Sequence, residues 1–147
     1  MKNNYKYSKD YNEILYINFI QTMLKEYPTY ESKIENRVNE ILEDLKLNSK
    51  DYLKNQEKYN EYIDKDNKLK VFKARKSLFD DILPKLEKNN QKACLFVKMR
   101  YFERRNLKDI MEALKLLNST ELFNLDLYAM RYIGNKIRNS KDFLKKV

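Results

Sequence analysis

One glycine, Gly134, and two prolines, Pro28 and Pro84, are all the specialised turn residues in a chain of 147. A β-rich fold of this length would need many tight corners, and those corners draw on glycine for left-handed backbone. Abundant Leu, Lys, Glu and Ile favour helices instead. The expected fold class is all-α, as one domain or two small helical pieces, with enough chain to bury a core.

Other absences narrow the chemistry. With no histidine, Ser–His and Cys–His nucleophile pairs are impossible, as are the usual His-containing zinc sites. Cys94 is the single cysteine and sits within ACLFV, which reads as a buried helical thiol rather than part of a disulfide or metal cluster. The acidic pairs Glu43–Asp44 and Asp80–Asp81 are adjacent, so on a helix their members diverge by about 100° and read as solvated faces. No glycine-rich phosphate loop is present. No cofactor, no metal and no enzymatic activity are expected. No run approaches a transmembrane span, and MKNNYKYSKDY lacks the apolar stretch of a secretory signal. A cytoplasmic protein without a membrane partner is the expectation.

Charge is sorted along the chain. Residues 1–64 carry 10 Lys and Arg against 12 Asp and Glu, a net of −2. Residues 65–147 carry 21 against 10, a net of +11. An AT-rich coding bias would raise lysine everywhere but would not segregate it. The asymmetry points to a polyanion partner for the C-terminal part, with nucleic acid first.

Three regions follow from patterning. Residues 1–45 are expected to form a helical hairpin. Its first helix spans about Asp10 to Glu26, with Tyr11, Ile14, Leu15, Asn18, Phe19 and Met23 on the inward stripe. A YPTY turn leads to a second helix carrying Tyr30, Ile34, Val38, Ile41, Leu42 and Leu45. Residues 46–65 read as a polar linker, partly helical, with Tyr52, Tyr59 and Tyr62 its main aromatic marks. Residues 66–147 form the basic C-terminal domain. There Leu69, Phe72, Phe79 and Leu83 share a stripe expected to end near Pro84. Cys94, Leu95, Val97, Tyr101 and Phe102 point inward from the next helix.

The segment YFERRNLKDIMEALKLL begins the most informative part. Asn106 is a candidate N-cap with Asp109 in the first turn, and Leu107, Ile110, Met111, Leu114 and Leu117 recur at helical spacing. A second cap follows at Asn118 with Glu121 three residues on. Leu122, Leu125, Ala129, Tyr132, Ile133 and Ile137 then form an apolar stripe. Opposite it lie Thr120, Asn124, Tyr128, Arg131, Asn135 and Arg138. Two helices joined tightly, the second exposing Asn and Arg, describe a helix-turn-helix. In a major groove Arg bonds guanine O6/N7 and Asn bonds adenine N6/N7. The base-reading candidates are therefore Asn124, Tyr128, Arg131, Asn135 and Arg138. Arg104, Arg105, Lys108, Lys115 and Lys136 are the phosphate candidates. Gly134 falls mid-helix, where glycine costs about 1 kcal/mol, and suggests an end or a kink.

The residues resemble the RinA/ArpU group of phage-encoded transcription regulators. One anchor is EYPTYESKIENRVNEIL, similar to that group's YP-x-Y turn before an amphipathic helix. The other is LFVKMRYFERRNLKDI, similar to its helix ending in Tyr-Phe, basic residues and the first helix of a helix-turn-helix. AMRYIGNKIR resembles the group's ending. The resemblance implies a C-terminal bundle like the −35-reading region 4 of sigma factors. It also implies double-stranded DNA as partner and a late-gene activator of phage or prophage origin working with host RNA polymerase. KLLNSTELFNLDLY is several residues longer than the group's turn, so the recognition helix begins either at Ser119 or near Leu125. The hairpin reads equally as a homodimer surface or a polymerase contact. The competing function class is a helical protein–protein module, an inhibitor or adaptor that does not read DNA.

Overall fold

The computed structural model describes residues 11–48 and 56–140, and among them every regular element is helical. Positions 49–55 of the expected linker, including Tyr52, lie outside the described residues, as do the side chains of Tyr11 and Tyr59. The helices are α1 (Tyr11–Glu26), α2 (Tyr30–Asn48), α3 (Gln56–Lys65), α4 (Asn67–Asn89), α5 (Gln91–Val97), α6 (Leu107–Ala113) and α7 (Ser119–Arg138). A 3-10 turn, Tyr27–Thr29, joins α1 to α2, and a π-helical turn, Lys98–Phe102, extends α5.

The YPTY segment works as an aromatic hub. The Tyr27 ring meets Phe79 edge-on at 5.8 Å and lies 5.3 Å from Phe102. Its hydroxyl donates to Asp80, while Thr29 closes the turn by donating to the Glu26 carbonyl at 2.6 Å. The two helices leaving this hub part company. α2 runs along α4, whereas α1 runs along α7 and the π turn. One buried cluster joins Ile17, Ile20, Met23 and Leu24 of α1 to residues of α4 through α7. The core-facing side of α1 is thus covered within the chain itself.

The inward face of α1 keeps Met23 of the expected stripe but is otherwise shifted. Ile17, Ile20, Met23 and Leu24 are buried, while Leu15 is 49 % and Phe19 36 % exposed. Both stripes are apolar, and the choice is made on α7. A Cβ at Gly134 would lie 3.0 Å from Tyr16 and 3.3 Å from Ile20, so the missing side chain admits the Tyr16–Ile20 face. Gly134 therefore neither ends nor kinks α7, which continues to Arg138.

Three further expectations are corrected. α4 passes through Pro84 to Asn89. Pro84 and Asp80, whose carbonyl loses its helical donor, are both exposed, so water can satisfy that carbonyl. Leu95 is 36 % exposed rather than turned inward. Leu117 is 85 % exposed, and Leu116 packs on the core in its place.

Caps punctuate what glycine does not. Asp66 caps α4 by accepting from the Leu69 amide at 3.0 Å and receives a forked bond from Arg37 of α2 at 2.7 and 2.9 Å. The Arg37 hydrogen bonds hold the Asp66 carboxyl below its usual range. Asn90 ends α4 and caps α5, accepting from Ala93 at 3.0 Å. Across the core, Gln21 donates to the Tyr101 hydroxyl at 3.0 Å, which donates to buried Asp126 at 2.7 Å. That chain of bonds links α1, the π turn and α7. Cys94 is buried, donates weakly to the Leu83 carbonyl at 3.7 Å, and has its thiol pushed up by burial.

Candidate nucleic-acid interface

The residues between Tyr101 and Arg138 show how a chain without spare glycine makes two abrupt turns. After the π turn, Glu103 donates to Lys98 O at 2.9 Å and Arg105 to Met99 O at 2.9 Å. Arg104 between them adopts a left-handed φ of 54°. Asn106 then caps α6, accepting from the Asp109 amide at 2.8 Å.

At the end of α6, Leu116 donates to Met111 O at 2.9 Å and Lys115 to Glu112 O at 3.3 Å. This is the Schellman pairing, with left-handed Lys115 (φ 56°) where glycine is usual. A basic side chain is retained at both left-handed corners, at a backbone cost of about 1–2 kcal/mol each.

α7 begins at Ser119, which decides between the two expected starts. Asn118 accepts from the Glu121 amide at 3.0 Å, and Glu121 accepts from the Leu117 amide at 2.8 Å. Thr120 and Asn124 therefore stay on the same helical face as the residues that follow. Leu122, Phe123, Asp126, Ala129, Met130, Ile133, Gly134 and Ile137 point into the core. Thr120, Asn124, Tyr128, Arg131, Asn135 and Arg138 are all exposed. From Asn124 to Arg138 that face spans about 21 Å at 1.5 Å per residue.

Its two halves differ. Asn124, Tyr128, Arg131 and Asn135 line one shallow groove of about 440 Å³, with Leu127 and Tyr132. Tyr128 stacks on Tyr132 at 6.2 Å, and Asn89 donates to the Tyr132 hydroxyl at 3.0 Å. Arg131, Asn135 and Arg138 also line a smaller cleft of about 220 Å³, closed on the other side by α1. There Glu13 accepts from Arg131 Nε at 3.1 Å, with Nη2 also 3.1 Å from that carboxylate oxygen. The Arg138 guanidinium lies 4.6 Å from the centre of the Tyr16 ring. Burial raises the Tyr16 hydroxyl above its usual range against the opposing pull of Arg138, so it remains a neutral donor to the Gly134 carbonyl at 2.9 Å.

The five phosphate candidates are less uniform. Arg104, Lys108 and Lys115 are exposed on or beside α6. Arg105 is paired with Glu103 at 2.7 Å, and its carbonyl accepts from Arg100 at 3.1 Å. Lys136 leans over the Tyr132 ring at 5.5 Å, at the edge of the exposed face. None of the five lines either groove.

Sequence reasoning missed Glu13 and Tyr16 as neighbours of the face, because their partners lie 118 residues away. Among the described residues no cluster of acidic or thiol groups is placed to hold a metal ion, and no helix is long and apolar enough to cross a membrane. Comparison with protein-family models, with curated proteins and with solved structures finds no match.

Proposed function

We propose that this protein binds double-stranded DNA in a sequence-dependent way through the exposed face of α7 and regulates transcription. One observation carries the reading. α7 has two acidic residues, and both are used internally: Asp126 is buried and Glu121 bonds the turn. The exposed face is left with Asn, Tyr and Arg in a helical row, the side chains that read major-groove base edges. The basic turns around α6 supply phosphate contacts that fix register and most of the affinity.

The resemblance to RinA/ArpU regulators supports a sigma-region-4-like docking and a late-gene activator of phage or prophage origin acting with host RNA polymerase. A second reading rests on the same groove. Tyr128, Tyr132 and Arg131 around Leu127 are residue types enriched where protein partners anchor, as an inhibitor or adaptor would require.

Selection from random duplex DNA, with Arg131→Ala run beside the parent at two salt concentrations, separates the two. The DNA reading expects a shared motif that weakens or changes with the substitution, and binding that falls steeply with salt. Recovery with no shared motif, equally salt-sensitive for both proteins, would leave only electrostatic attraction and favour the protein partner.

A further inference from the structure

The two halves of the α7 face are not equally available. Asn124 and Tyr128 face outward, whereas Arg131 and Arg138 are engaged by α1. Resting on the DNA-binding reading, we propose that the first half of α1 is a built-in competitor for the face. In this arrangement Glu13 and Tyr16 occupy the two arginines until duplex DNA displaces them.

The geometry at Arg131 is that of a substitute ligand. Nε donates to a carboxylate oxygen of Glu13 at 3.1 Å, and Nη2 lies 3.1 Å from the same oxygen as an ion pair. Those are donors an arginine would present to a guanine edge or a phosphate. Arg138 is held differently, over the face of Tyr16, whose hydroxyl is tied to the α7 backbone. The absent Gly134 side chain makes that approach possible.

The grip of α1 is also graded along its length. Ile17, Ile20, Gln21, Met23 and Leu24 are buried and fix α1 from Ile17 onward. The Glu13–Arg131 pair is 24 % and 53 % exposed on its two sides, and an exposed pair adds little to stability. The Glu13 side chain, ahead of that buried stretch, can therefore exchange its contact for a DNA contact without extracting the core. The cleft lined by Glu13, Tyr16, Arg131 and Arg138 opens beside these contacts.

The test is a coupling measurement on the full chain. The proteins are the parent, Glu13→Gln, Arg131→Ala, the double variant and Tyr16→Phe, each titrated with the selected duplex and a scrambled duplex. Glu13→Gln keeps side-chain shape and breaks an exposed pair, so folding should be retained, which a melting curve checks. Glu13→Gln is expected to tighten the selected duplex by about two- to fivefold, the equivalent of an exposed ion pair. The gain should vanish in the Arg131→Ala background. Tyr16→Phe frees the ring from the Gly134 carbonyl but keeps its face to Arg138, so it should move affinity the same way by a smaller factor without changing charge.

Selected-duplex affinity unchanged in both Glu13→Gln and Tyr16→Phe would overturn the inference while leaving DNA reading intact. So would a Glu13→Gln gain that persists without Arg131 or is equal on the scrambled duplex, since that is bulk charge. If neither the parent nor Glu13→Gln prefers any duplex, the DNA reading itself fails and the competitor role falls with it.

Discussion

Of the two helices flanking the Tyr27–Thr29 turn, α1 buries Ile17, Ile20, Met23 and Leu24 completely or nearly so, and reaches the α7 face through Glu13 and Tyr16. α2 buries Tyr30 and Ile41, leaves Ile34, Val38, Leu42 and Leu45 half-covered, and is fastened to α4 by Arg37 and Asp66. Both are amphipathic, yet one belongs to the core and borders the candidate site while the other is a strap along α4. Damage to α1 should therefore affect stability and binding together, and damage to α2 stability alone.

The largest expected effect comes from the core side of that contrast. Ile20→Ala should lower unfolding free energy by about 2–5 kcal/mol, read by chemical denaturation. Ile41→Ala should fall at the low end of that range, about 2 kcal/mol, because Ile41 retains 8 % exposure. Equal losses would break the distinction between core helix and strap.

On binding, Arg131→Ala should weaken the selected duplex by about 1–3 kcal/mol and relax preference at one position. Arg37→Ala, on the α2 side, should leave duplex affinity unchanged. A titration of both variants checks this, and a loss with Arg37→Ala would place DNA on the wrong helix.

Asp66→Ala removes a helix cap and the Arg37 partner together, and should cost about 0.5–2 kcal/mol. Asp66 also carries a pH signature. Its folded-state pKa is held below the ordinary carboxylate value by the Arg37 hydrogen bonds, so its contribution is present above the unfolded-state value and is lost as pH falls through the lower folded-state pKa. Acid melts of the parent should show this added loss, and Asp66→Ala should lack it.

The smallest effect is expected at a left-handed corner. Lys115→Gly should raise stability by about 1 kcal/mol or less while lowering the salt dependence of DNA binding by about one phosphate contact. Stability and affinity would then move in opposite directions, as expected for a corner that keeps its charge at a backbone cost.

What could be seen from the sequence was local. The Asn106 and Asn118 caps depend on residues three positions away, and both expected pairings are present. The exposed row on α7 was likewise legible from helical spacing, because no break occurs between Ser119 and Arg138. What could not be seen depended on distance or on a change of phase. The shift in the inward face of α1 had no local signal, because the close approach that Gly134 allows lies on another helix. Leu117 continued the arithmetic of α6, but left-handed Lys115 resets the direction of the chain and exposes it. Pro84 marked an expected stop that an exposed helix side tolerates. The pairing of Glu13 with Arg131 had no local signal.

Amide chemical-shift mapping during titration with the selected duplex tests the central claim most directly. The account expects the principal changes at Asn124, Tyr128, Arg131 and Asn135 and in the turns around α6, with smaller ones at Glu13 and Tyr16 and none along α2. Changes concentrated on α2 or α3, with α7 silent, would contradict it.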